Sequence, residues 1–151
     1  MDIFDWMFIA SSFIFFVSMI SAILLMAKNK MKTVRIFGPI LAVLMLPIIA
    51  VLINYIVFGK DPRFVIYTIL ILIYLMAESL LDMVFKIDFR SKPIQHVPYI
   101  IVEWGAAFSF LFGTIYLDTT IGWVIAIFFW TFIGALVYYI IKQRKKKDFN
   151  Y

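Results

Sequence analysis

The chain has 151 residues, 65% of them hydrophobic, with a net charge of +5 and no cysteine. A soluble domain is nearer half apolar and must turn much of its surface to water, so this composition excludes a soluble globule and makes lipid the solvent. The missing cysteines exclude disulfides, thiolate metal sites and cysteine nucleophiles. The bases fall in short loops and a tail rather than on a folded face, which argues against nucleic-acid binding.

The start, MDIFDWMF, is acidic where a secretory signal needs a basic region, so no cleaved targeting peptide is expected. A membrane span needs about 20 mostly apolar residues. Five stretches qualify, at about 7–27, 37–58, 64–85, 98–117 and 120–141, and predict one all-α transmembrane domain over 1–151 with a basic tail at 142–151. Ser11, Ser18 and Ala22 form a small-residue stripe on the first span. Pro39 falls in the first turn of the second, where its missing N–H does no harm; Pro47 falls mid-span and predicts a kink. On the third, Tyr74, Glu78, Asp82 and Lys86 recur every four residues and so share a face.

Pro93 and Pro98 close the next loop, and Pro98 is expected to start the fourth helix with His96 in the preceding turn. That helix carries Glu103 and a ladder of Gly105, Ser109 and Gly113, a spacing that lets another backbone approach closely. Leu117-Asp118-Thr119-Thr120 predicts a tight turn and helix cap, because one helix through both apolar runs would be far too long for a bilayer. The end of the chain, KKKDFNY, predicts a frayed tail lying on an anionic leaflet.

Lys and Arg alternate in density from loop to loop. Lys28, Lys30, Lys32, Arg35, Lys86, Arg90, Lys92 and the tail bases fall on one side, while the other has only Lys60 and Arg63 beside four aspartates. The positive-inside rule then puts the N-terminus outside and the C-terminus in the cytoplasm of a cell membrane. Trp6, Trp123, Tyr138 and Tyr139 match interfacial belts, and Trp104 and Trp130, lying deeper, suit packing or lipid contact.

Three carboxylates, Glu78, Asp82 and Glu103, stand inside these apolar runs. A charge at bilayer depth costs on the order of 3 kcal/mol, so such groups pair, take up protons or work. At about 1.5 Å per residue, Glu78 and Glu103 both lie roughly 7–12 Å in from the basic side, on neighbouring antiparallel helices. His96 and Tyr99 are near that depth. Asp82 and Lys86 read most simply as an ion pair, and Asn54 and Thr114 as interhelical hydrogen bonds. Facing carboxylates with a nearby imidazole can relay protons, hold a cation or serve as acid and base. No spaced metal motif, nucleophile motif, phosphate loop or dinucleotide fingerprint is present.

In size and span number alone, the chain is similar to the translocator-protein family and the sterol-isomerase-like membrane proteins. No motif of either aligns with these residues, so no site or cofactor is carried over. The expected function is an acidic pocket in the cytoplasmic half that binds or moves a proton, cation or amphipathic small molecule. Its ligand residues are Glu78 and Glu103, assisted by Asp82, His96, Tyr74 and Tyr99. The alternatives are an intramembrane acid–base enzyme acting on a lipid or isoprenoid, and a non-catalytic assembly or regulatory subunit. Besides the bilayer, the expected partners are such a ligand and a second copy or another membrane protein joined through the small-residue face.

Overall fold

The computed structural model describes residues 1–80 and 93–149, with the backbone alone for Met31 and residues 93–97. These form six helices and no strand: α1 Ile3–Ala27, α2 Met31–Val34, α3 Phe37–Val57, α4 Pro62–Ser79, α5 Pro93–Leu117 and α6 Thr119–Asp148. Five of them, all but α2, are long and apolar enough to cross a membrane.

The helix ends are written in local chemistry. Asp2 caps α1 by accepting from the amides of Phe4 and Asp5, and Asp5 returns the bond to the Asp2 amide, a complete capping box. Asp61 caps α4 with Pro62 behind it, and Asp118 caps α6 by accepting from Ile121 at 3.0 Å. Asp118 is thus the whole connection between α5 and α6, as the sequence predicts. α1 and α3 both end in Schellman turns. Asn29 and Gly59 take left-handed φ of 58° and 61°, and the next amides, Lys30 and Lys60, bond back to Leu25 and Tyr55.

α1 is the central element. It packs against α3, α5 and α6, while α3, α4, α5 and α6 adjoin one another in chain order. An aromatic column fills the middle of the bundle. Phe8 meets Phe110 at 5.5 Å between centroids, Phe110 meets Phe15 at 5.0 Å, and Phe15 meets Tyr74 edge-on at 5.6 Å. Offset and edge contacts of this kind suit the ring quadrupoles and add to the area these side chains bury. The outward surface is also apolar: Val43, Leu46, Ile53, Ile127 and Trp130 are all exposed. Water would not tolerate such a surface, but lipid tails match it.

The small-residue ladder does its work at one end only. A Cβ on Gly113 would lie 2.6 Å from the Phe8 ring, whereas one on Gly105 would meet nothing within 4 Å. Ser109 is buried and spends its hydroxyl on the Gly105 carbonyl in its own helix. An equally close contact, but against backbone rather than a side chain, is at Gly122, where a Cβ would come within 2.6 Å of Ile115 Cα across the α5–α6 hairpin. On α1, Ser11, Ser18 and Ala22 are all buried, as a packing stripe should be.

Three expectations are corrected. α5 starts at Pro93 rather than Pro98, so His96 lies inside the helix and not in a turn. A proline in the second turn forfeits a single backbone bond, which lipid-embedded helices tolerate. The basic tail is helical through Asp148. Lys, Arg and Gln are good helix formers, and bases near a C-terminus oppose the helix dipole favourably. Among the described residues Thr114 makes no interhelical bond, and its buried hydroxyl has no partner there. Asp82 and Lys86, with the end of the expected third span, lie outside the described residues.

Candidate functional site

The buried faces of α4 and α5 bring the two glutamates together. On α4 the inward stripe is Thr68, Ile71, Tyr74, Leu75 and Glu78, spaced as one helical face demands. On α5 it is Tyr99, Glu103, Ala106, Ala107 and Phe110. Each carboxylate therefore continues an apolar stripe, and the packing that buries Ile71 or Phe110 carries the acid inward with it. Glu78 is 4% exposed and Glu103 7%.

Both line one cavity of about 380 Å³ at the basic end of the bundle. All five long helices contribute walls: Met19 and Met26 from α1, Leu41 from α3, Trp104 from α5 and Tyr139 from α6 stand around the acids. The lining is mostly hydrocarbon, aromatic and thioether, with the polarity gathered on one side. The volume is within the range of small-molecule sites.

A hydrogen-bonded chain orders that polar side. The Tyr99 hydroxyl donates to Glu78 Oε2. Its only proton is then committed, so in the 3.2 Å contact with Tyr74 the Tyr74 hydroxyl donates. Tyr74 is also 3.4 Å from Met19 Sδ. Both tyrosines are buried, and Glu103 lines the same cavity as Glu78 and Tyr99. Glu78, Glu103, Tyr74 and Tyr99 thus form one polar cluster. The side chains of Asp82 and His96 lie outside the described residues; the backbone puts His96 two helical turns before Glu103. Among the described residues no group of three His, Cys, Asp or Glu comes together to hold a metal.

A second polar cluster closes the opposite end, and sequence reasoning missed it by counting its members as loop charges. Asp5, 4% exposed, accepts from the Lys60 ammonium and from the Tyr55 hydroxyl at 2.9 Å. The Lys60 ammonium lies 4.7 Å from the Tyr55 ring centroid and 5.4 Å from that of Phe64. This ties the start of α1 to the end of α3. The signal in the sequence was the Gly59 turn, which reverses the chain and aims Lys60 back at the bundle. Between this clasp and the cavity stands the aromatic column, so the cavity is walled off from the acidic end.

No protein-family model matches the chain, and neither do any curated protein or solved structure.

Proposed function

We propose that the protein resides in a membrane and binds an amphipathic small molecule with a cationic head in the Glu78–Glu103 cavity. The observation that carries this reading is the lining itself, two buried carboxylates set in an otherwise apolar pocket. Carboxylates in a lining of low local dielectric attract a cationic head, and the hydrocarbon walls accept an apolar body. The positive-inside rule orients the cavity end toward the cytoplasm.

The test is calorimetric titration of the purified protein in nanodiscs with an alkyltrimethylammonium and with the alcohol of equal chain length. The quaternary amphiphile is expected to bind more tightly, and Glu103→Gln and Glu78→Gln each to weaken it about thirty-fold while leaving the alcohol unaffected. Equal affinity for both probes, or a preference that survives both substitutions, overturns the reading. If both variants fail to fold, the acids serve helix assembly and the subunit reading takes its place.

A further inference from the structure

A cleft adjoining the acidic cavity, with Tyr139 in the wall of both, lies where α1 ends against the last turns of α6. It holds about 150 Å³ and is lined by Ala27, Asn29, Tyr139, Lys142, Gln143 and Lys146. The spacing explains its chemistry. Tyr139, Lys142, Gln143 and Lys146 fall at intervals of three and four along α6 and so share one helical face. Across from them, the left-handed turn at Asn29 stops α1 and brings a side-chain amide to the rim. Among the described residues no carboxylate lines it, and the walls present two ammonium groups, two amides and a phenol.

We propose that this cleft is a binding site for a phosphate group. Two lysines one turn apart give point charges for a multivalent oxyanion, while Asn29, Gln143 and Tyr139 add neutral donors at its edge. The C-terminus of α1 carries the negative end of a helix dipole, which alone would repel an anion. Three of its last carbonyls are turned to backbone amides: Leu24 and Leu25 accept from Lys28, Leu25 also from Lys30, and Met26 from Asn29, and the two lysines outweigh the dipole's partial charge. The Lys142 ammonium lies 5.8 Å from the Tyr138 ring centroid, which restrains it against α6. The site stands at the basic end, at the depth where lipid headgroups meet a span's end. The phosphate is thus either that of a headgroup or that of a soluble phosphate ester.

General positive charge is the competing explanation, because Lys145 and Lys147 carry the same charge on the same segment outside the cleft. The experiment compares Lys142→Gln/Lys146→Gln with Lys145→Gln/Lys147→Gln in the full chain. Purified protein is titrated with vesicles of phosphatidylcholine containing phosphatidic acid, with phosphatidylcholine alone, and with inorganic phosphate. The cleft variant is expected to lose roughly twenty-fold in affinity for phosphatidic acid, and the control variant little. Inorganic phosphate binding that is lost with the same variant assigns the site to soluble phosphate as well; its absence assigns it to headgroups. Equal losses in the two variants, or no loss in either, overturn the proposal. Glu78→Gln/Glu103→Gln should leave this binding unchanged, which separates the cleft from the cavity's own ligand.

Discussion

Tyr99 is the residue on which the acidic cluster turns. Its hydroxyl is the donor to Glu78 and the acceptor for Tyr74. A buried hydrogen bond contributes about 1 kcal/mol, and about 1.5–3 kcal/mol where one partner is charged. Tyr99→Phe is therefore expected to destabilise the bundle by about that amount. Tyr74→Phe should cost less, since its contacts are a 3.2 Å phenol pair and a thioether. Chemical denaturation in detergent ranks the two; a Tyr74→Phe loss equal to or above that of Tyr99→Phe contradicts the hydrogen-bond order. The sequence made Tyr74, Tyr99 and the two glutamates visible as polar residues in apolar helices. Which hydroxyl meets which carboxylate depends on the rotation of α4 against α5, and no local signal encodes that.

At the level of elements, the α5–α6 hairpin shows how much a single small residue decides. Asp118 starts α6 the moment α5 stops, so the two helices have almost no loop through which to diverge. Their close approach then falls on Gly122 against the backbone of Ile115, where no side-chain rotation can make room. Gly122→Ala forces the helices apart and is expected to cost about 1–3 kcal/mol, as overpacking of a tight core does. Gly105→Ala meets open space and should be nearly neutral. Thermal unfolding of the two variants side by side checks the contrast, and equal melting shifts would refute it. The prominent Gly105–Gly113 ladder pointed elsewhere. A small-residue repeat shows that close approach is permitted, and only the packed neighbours show at which rung it happens.

Across the whole molecule, charge and cavity divide the bundle into two unlike ends. Buried Asp5 clasps Lys60 and Tyr55 at one end, the aromatic column fills the middle, and the acidic cavity and basic cleft occupy the other. Such polarity is what the proposed binding of a ligand from one side of a membrane requires. The absence of native cysteine makes the arrangement directly measurable. Arg63→Cys and Lys145→Cys, both at exposed positions, should react with an impermeant maleimide from opposite faces of sealed vesicles, Lys145→Cys from the cytoplasmic face. Labelling of both from one face would remove the five-span topology, and the reverse pattern would invert the orientation.

The sequence by itself determined the helical class, the five apolar spans, the turn at Asp118 and the burial of Glu78 and Glu103. These follow from hydropathy, spacing and capping, all of which act within one helix or one turn. The tertiary structure alone decided that the two acids share a cavity, that Asp5 and Lys60 form a clasp and that Lys142 and Lys146 flank a cleft with Asn29. Each of those depends on how one helix is rotated and set against another. That choice is made by side-chain packing summed over the whole bundle, to which any one residue contributes too little to be read alone.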